Sequence, residues 1–192
     1  MNLKNTTERW GAVSVILHWI VAVLIIAAII MGIWITRLDP EVALHRKIWA
    51  TLMPLHKSVG LAALFFATVR LVWYLATPKT HLPPVLAPWE RVAATIDHIS
   101  LYALTLIVPV SGWASSSSVG AETKFFGLFT LPNLMEKNQD VSRFYYDLHW
   151  IVAWITIGLL AVHIGAALWH HFLKKDRVLF NMLPVIKNPE GK

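Results

Sequence analysis

The sequence predicts an all-α membrane protein, a bundle of four transmembrane helices, from its composition and from the lengths of its apolar segments. The 192 residues are 56% hydrophobic and 15% charged, with a mean hydropathy of +0.56. This composition lies outside the usual range of soluble globular domains. Four stretches are apolar and long enough to cross about 30 Å of hydrocarbon. The expected helices cover residues 13–35, 56–76, 92–115 and 148–173 of one integral-membrane domain, residues 1–192.

Prolines and polar runs predict the helix ends and loops. Pro54 is expected just before the second helix, because proline lacks a backbone donor and usually lies outside a helix interior. Pro109 is tolerated in the third helix, where neighbouring helices can satisfy the freed carbonyl. The Ser115–Ser118 run opens a long loop, 116–147, whose aromatic residues favour a position on the membrane surface. Two histidines are expected in loops: His45 and His81.

Lysine and arginine residues predict the orientation. Four spans place both termini on one side of the membrane, and ten basic residues fall on that side against seven on the other. Cytoplasmic loops are enriched in Lys and Arg, so both termini are expected on the cytoplasmic side of the membrane. Most of the net charge of +6 lies beside apolar segments, which argues against nucleic-acid binding. The ten are Lys4, Arg9, Arg70, Lys79, Arg91, Lys174, Lys175, Arg177, Lys187 and Lys192; the seven are Arg37, Arg46, Lys47, Lys57, Lys124, Lys137 and Arg143.

The chain contains no cysteine. This excludes disulfides, iron–sulfur ligation, thiolate-ligated haem and the C-x-x-C-H attachment of c-type haem. Any haem in this chain must therefore be bound without covalent attachment.

Four histidines in the apolar segments carry the strongest functional signal. Ionisable residues are costly inside a bilayer, so each of them requires a partner. His149 and His163 are 14 residues apart, which on an α-helix gives about 21 Å of rise and a net rotation of about 40°. Both rings therefore leave the fourth helix from one face. With the termini inside, His18 shares the inner leaflet with His163, and His56 shares the outer leaflet with His149.

These paired histidines suit two stacked haems, each held by the fourth helix and by one other helix. For any one histidine, the alternative is an interfacial or hydrogen-bonded structural role. Another metal ion is a weaker interpretation, because Asp97 is the one membrane carboxylate that could complete a Zn²⁺ or Mn²⁺ site. Small residues of the fourth helix allow close approach of either a porphyrin or a neighbouring helix. Those small residues are Gly158, Ala161, Gly165, Ala166 and Ala167.

Short motifs are distributed along nearly the whole chain. They are Thr7-Glu8-Arg9-Trp10-Gly11 leading to His18-Trp19, Leu55-His56-Lys57-Ser58-Val59-Gly60 with Val69-Arg70-Leu71, His98 to Tyr102, Leu148-His149-Trp150, and His163 with His170-His171-Phe172-Leu173-Lys174-Lys175-Asp176. Together they resemble the prokaryotic cytochrome b561 family of di-haem membrane proteins. The resemblance implies b-type haem ligation by the same four histidines, in a four-helix inner-membrane protein that exchanges electrons with the quinone pool. Some relatives oxidise superoxide at the outer face and reduce quinone.

Cationic residues near the histidine pairs are candidates for binding haem propionates. Arg70 lies 14 residues after His56, on roughly the same helix face but near the inner haem. A guanidinium there can pair with a propionate or with a quinone oxygen. Its alternative role is snorkelling to the cytoplasmic interface. Lys57 and Arg46 are the corresponding candidates for the outer propionates, with surface solvation as their alternative.

Three further histidines gather at the inner ends of the third and fourth helices. His98 competes with His18 or His163 as an axial ligand, although the family pattern favours those two. His98, His170 and His171 also suit a cytoplasmic-side quinone site, because an imidazole can donate to a quinone carbonyl and relay its proton near pH 7. For His170 and His171, an interfacial helix end is the alternative.

The residues together indicate a membrane electron-transfer protein or oxidoreductase with two b haems and quinone as its diffusible partner. Its expected role is respiratory or superoxide-scavenging. One alternative is a haem-bearing membrane anchor for a periplasmic redox partner, and another is a haem-free metal transporter. A reduced-minus-oxidised visible spectrum separates the transporter from the other two. Copurification in mild detergent separates an independent oxidoreductase from an anchor.

Overall fold

The computed structural model describes residues 3–7, 9–81, 85–176 and 178–183, and four long helices dominate this part of the chain. The helices are α1 (Ala12–Ile35), α2 (Ala43–Ala76), α3 (Pro88–Ser118) and α4 (Gln139–Trp169). All four are long and apolar enough to cross a membrane. The predicted all-α four-helix membrane fold is confirmed.

The second helix begins well before its predicted start. α2 starts at Ala43 instead of residue 56, so Pro54 lies inside it and His45 lies in its first turn, not in a loop. A proline removes only one backbone donor, and α2 continues through Pro54 without a break. The predicted start was wrong because hydropathy locates the apolar part of a helix, whereas polar residues can continue the same helix into water.

α3 extends past its predicted end, and α4 begins before its predicted start. α4 starts at Gln139 instead of residue 148, because the Asn138 side chain caps it by accepting a backbone hydrogen bond at 3.0 Å. α3 runs to Ser118, so the Ser115–Ser118 run is helical and does not open the loop. The hydroxyls of Ser117 and Ser118 donate to carbonyls of the preceding turn at 2.9 and 2.8 Å. These bonds allow both polar side chains to be fully buried.

A β-hairpin lies between α3 and α4. Its strands β1 (Thr123–Phe125) and β2 (Phe129–Leu131) pair in antiparallel fashion. The Ser58 hydroxyl of α2 lies 3.0 Å from the Lys124 carbonyl oxygen and accepts a hydrogen bond from the Phe126 amide at 2.9 Å. The hairpin is therefore fastened to α2. We call this the outer end of the bundle.

Both described ends of the chain lie at the opposite end of the bundle, which we call the inner end. The Asn5 amide donates to the Thr77 hydroxyl at 2.9 Å, and the Trp19 indole donates to the Met182 carbonyl at 2.6 Å. The N-terminal segment, the end of α2 and the C-terminal segment therefore share one end, as an even number of spans requires. Three basic residues used to predict the orientation lie outside the described residues: Arg177, Lys187 and Lys192.

The helices pack unevenly. α1 packs along α2, α3 packs along α4, and α2 also contacts α3, whereas within the described chain α4 makes few close backbone contacts with α1 or α2. The buried apolar side chains are small or medium in size, such as Val15 and Ala63, while large ones such as Trp34 and Phe65 face outward. An apolar outer surface fits surrounding lipid. The sparse contacts of α4 with α1 and α2 leave space between these helices inside the bundle, which we call the gap beside α4.

Candidate functional site

Two pairs of histidines face each other across the gap beside α4. His18 of α1 and His163 of α4, the inner pair, have ring centroids 6.2 Å apart. His56 of α2 and His149 of α4, the outer pair, have ring centroids 6.3 Å apart. Metal–imidazole bonds of about 2 Å on opposite sides of an ion put the two donor nitrogens about 4 Å apart, and the ring radii add the remainder. Both separations therefore fit one metal ion between the rings.

The outer pair is oriented by uncharged groups. His56 Nδ1 lies 3.0 Å from the Ala28 carbonyl oxygen. His149 Nδ1 lies 3.0 Å from the Val108 carbonyl oxygen and 3.1 Å from the Ser111 hydroxyl. A carbonyl oxygen only accepts, so Nδ1 carries the proton in both rings and donates it. Nε2 of each ring then keeps its lone pair, which is the form of histidine that binds a metal.

Two glycines make room for the outer rings. A Cβ added to Gly112 of α3 would lie 2.9 Å from Cε1 of His149, and one added to Gly32 of α1 would lie 3.3 Å from Cε1 of the other outer ring. The outer imidazoles thus pack directly against helix backbone. In contrast, a Cβ at Gly158 or Gly165 of α4 would meet nothing within 4 Å in the described chain. These two glycines therefore do not serve close helix packing there.

The inner pair is oriented by a carboxylate. His163 Nδ1 donates to Asp97 Oδ2 at 2.8 Å, and Asp97 of α3 is only 9% exposed. Within the described residues, the other carboxylate oxygen is buried without a hydrogen-bond partner, and so is Nδ1 of His18. The sequence did not predict this contact. The sequence feature that could have indicated this contact is Asp97 itself, a carboxylate in an apolar helix at the same membrane depth as His163.

His98 is a third imidazole in the inner region. Its ring centroid lies 5.5 Å from that of His163. Donor atoms of Asp97, His98 and His163 lie within 4.8 Å of one another, so this set could hold a metal ion. The alternative that the site binds another metal ion is therefore consistent with the geometry, since these three side chains could serve as its ligands.

Both histidines of the inner pair line a cleft, together with apolar and polar side chains of all four helices. Arg70, His98, Tyr102 and Thr105 are among its polar residues. The Arg70 guanidinium stacks over the Tyr102 ring, 4.6 Å from its centroid, an arrangement that stabilises a cation away from water. The structure thus places a positive charge and a third imidazole beside the inner pair.

The other two histidines considered for a quinone site lie outside that cleft. His170 is 7% exposed, and its Nδ1 donates to Asp176 Oδ2 at 2.5 Å. His171 packs against two phenylalanine rings, with centroids 4.7 and 5.1 Å away. Neither is among the described residues that line the inner cleft. The structure brings Arg70 and His98 together, but it does not add His170 and His171 to them.

The two outer cations bind protein oxygens. Lys57 Nζ donates to the Ser116 hydroxyl at 2.6 Å and to the Glu122 carbonyl at 3.2 Å. Arg46 Nη1 donates to the Pro40 carbonyl at 2.8 Å. A role for Lys57 and Arg46 at the outer propionates stays a prediction.

Four membrane-length helices with facing histidine pairs define the class of multi-helix membrane cytochromes. The chain belongs to the prokaryotic cytochrome b561 family, whose sequence profile matches residues 9–185. It is 31% identical to cytochrome b561 homolog 2 of Escherichia coli K12 over 184 residues, 95% of each chain. It is 28% identical to cytochrome b561 homolog 1 of the same organism, over 92% of this chain and 98% of the relative. It is 25% identical to the "probable superoxide oxidase CybB" of Yersinia pestis, over 92% and 97%.

Membership confirms the family that the motifs predicted. The protein is a multi-pass bacterial membrane protein of the cytochrome b561 type, and its family transfers electrons in the membrane. The family also implies b-type haem as the cofactor. The donor set of the two pairs, imidazoles without thiolates, suits that cofactor.

Proposed function

We propose that the protein binds two b haems, one between His18 and His163 and the other between His56 and His149, and transfers electrons between the two membrane faces. The pairing itself supports this proposal: the two ring separations are nearly equal, and each lies where α4 makes few close backbone contacts with α1 or α2 in the described chain. Three of the four rings have Nδ1 engaged, which leaves Nε2 for iron. When bound, haem supplies the one-electron redox chemistry.

The residues of the chain hold, orient and shield the two sites. The paired imidazoles would hold the two haems, while backbone carbonyls and Asp97 orient three of the four rings. α4 keeps the two sites about 21 Å apart along its axis, and the apolar helices exclude water from the path between them. Arg70 compensates the charge of an inner propionate through a charge-assisted hydrogen bond, as Lys57 and Arg46 do at the outer end.

Quinone is the proposed diffusible partner, and its proposed site is at the inner end of the bundle, next to the inner haem. A hydrophobic quinone needs a lipid-accessible pocket with a few hydrogen-bond donors, and Arg70 and His98 supply such donors beside the His18–His163 pair. His98 donates to a quinone carbonyl and relays its proton. His170 and His171 lie outside the cleft and support the site less.

The outer electron donor is proposed to be superoxide. Support comes from the Yersinia pestis relative named a probable superoxide oxidase, which matches this chain over nearly its whole length. The alternative, a haem-bearing anchor for a periplasmic redox protein, has no comparable support. Reduction of the purified protein by superoxide, with onward transfer to a quinone analogue, is expected. Reduction by a quinol but not by superoxide would assign a respiratory role instead.

Haem content and spectrum test the central proposal. The purified chain should bind two haems b and show a b-type reduced-minus-oxidised spectrum. One haem or none in a fully loaded preparation would refute the pairing. A haem-free chain that binds Zn²⁺ or Mn²⁺ would instead support the cluster of Asp97, His98 and His163.

The proposed orientation has both termini in the cytoplasm, with the protein in the inner membrane. Because the chain has no cysteine, single-cysteine variants can report it. Leu128→Cys, at a hairpin position that is 77% exposed, should react with an impermeant maleimide in intact spheroplasts. Lys4→Cys, at an exposed inner-end position, should react only after permeabilisation, and a reporter fused at Lys192 should give a cytoplasmic signal. The reverse labelling pattern would exchange the inner and outer faces.

A further inference from the structure

We propose that Asp97 selectively lowers the reduction potential of the inner haem by making His163 a stronger electron donor to the iron. The inference rests on the proposed ligation by the two histidine pairs. It assigns to Asp97 the part of a positioning residue that acts through His163 and does not touch the cofactor.

The observation behind it is an asymmetry between the pairs. In the outer pair, Nδ1 of each ring faces a neutral backbone carbonyl at 3.0 Å. In the inner pair, His163 Nδ1 faces a carboxylate oxygen at the shorter distance of 2.8 Å. The two pairs therefore have similar ring separations but different charges behind the rings.

The position of Asp97 keeps its negative charge effective. The side chain is 12% exposed, and its ion pair in the described chain joins it to His163. The nearby cation, Arg70, is stacked on Tyr102. A carboxylate with little solvent and no contacting Lys or Arg in the described residues acts through a low local dielectric, where charge interactions are stronger than in water.

The physical consequence is a preference for ferric iron. A carboxylate that accepts the Nδ1 proton raises the basicity of a ligating imidazole. A more basic ligand stabilises the ion of higher charge, and hydrogen bonding to the axial ligand is one of the means by which a protein sets a haem potential. An electron shared between the two haems would then reside on the outer one more than it would with a neutral residue at position 97.

Asp97→Asn tests this, because the amide keeps the size and an acceptor oxygen but removes the charge. Potentiometric titration should show the midpoint potential of the inner haem raised by about 59 mV or more, which for one electron is a tenfold change in the redox equilibrium constant. The midpoint potential of the outer haem should stay unchanged. The electron paramagnetic resonance signal of the inner ferric haem should shift as well. His163→Ala identifies which couple is the inner one.

Two variants serve as controls. Asp97→Glu retains the carboxylate and should stay close to the wild-type potentials. Ser111→Ala removes a neutral neighbour of His149. It should shift neither midpoint potential by as much as about 59 mV, because the Val108 carbonyl still accepts the hydrogen bond from His149 Nδ1. Variants that lose haem are titrated with added haem, since such substitutions typically weaken metal binding about 10- to 100-fold.

The outcomes separate this inference from the proposed function. A wild-type chain with fewer than two haems contradicts the ligation itself. Two haems with an unshifted inner couple in Asp97→Asn, or equal shifts of both couples, overturn the inference alone. It is also overturned if Asp97→Glu shifts as far as Asp97→Asn, or if neither variant can be loaded with excess haem.

Discussion

The outer and inner histidine pairs have almost the same ring separation, 6.3 and 6.2 Å, but different surroundings. Backbone carbonyls and two glycines hold the outer rings, next to a hairpin fastened by Ser58. A carboxylate holds the inner ring of His163, in a cleft that is also lined by Arg70 and His98. This difference indicates that the facing imidazoles determine which cofactor a site can bind, whereas the groups that contact the imidazoles tune properties such as the reduction potential.

Removing one histidine from each pair is the strongest test that the two pairs form separate haem sites. His149→Ala should lose the outer haem and His163→Ala the inner one, so that each variant retains about half of the haem with a different residual spectrum. The reason is their separation of about 21 Å along one helix. Haem quantification and low-temperature difference spectra provide the measurement. His45→Ala, in the first turn of α2, should keep both haems, and loss of the same haem from both ligand variants would contradict the assignment.

Gly112→Ala should damage only the outer site. The added Cβ would lie 2.9 Å from the His149 ring, and overpacking of this kind costs about 1–3 kcal/mol, or about 5- to 150-fold in outer haem affinity. Gly32→Ala, with its 3.3 Å contact, should have a smaller effect. Haem titration followed by the two spectral components measures both. An equal loss of the two haems in Gly112→Ala would show that the glycine serves helix packing in general.

Ser58→Ala should loosen the hairpin, which has no counterpart among the described residues of the inner end. Ser58 is 2% exposed and accepts from the Phe126 amide. Leaving that amide unpaired costs about 1–3 kcal/mol. Faster proteolysis within the hairpin and a lower thermal midpoint are expected, with the inner haem spectrum unchanged. Thr51→Ala is the matched control, because the Thr51 hydroxyl donates only locally to the Lys47 carbonyl; equal effects of the two variants would remove the special role of Ser58.

His98→Ala should slow electron exchange with a quinone analogue while both haem spectra stay intact. Loss of one hydrogen bond corresponds to about a 2- to 10-fold slower rate. Stopped-flow reduction by the analogue measures it. His171→Ala should have a smaller effect, because His171 lies outside the cleft. Wild-type rates in both variants, together with loss of exchange on changing Lys57 or Arg46, would move the quinone site to the outer end.

The helices and the histidine pattern were accessible from the sequence because both depend on local spacing. Apolar length predicts a span, and an interval of 14 residues places His149 and His163 on one face whatever surrounds them. Helix ends were less accessible. α2 begins at Ala43 because polar residues continue the helix beyond its apolar part, and the Ser115–Ser118 run is helical with hydroxyls that donate to carbonyls of the same helix. Hydropathy registers neither feature.

By itself, then, the sequence determined the four spans, the family and the one-faced histidines of α4. Only the tertiary structure decided which groups lie behind each ring. Asp97 and His163 are 66 residues apart in the chain, and Gly112 meets His149 only because α3 packs along α4. Contacts of this kind depend on the rotation and depth of one helix relative to another, and helical periodicity describes each helix alone.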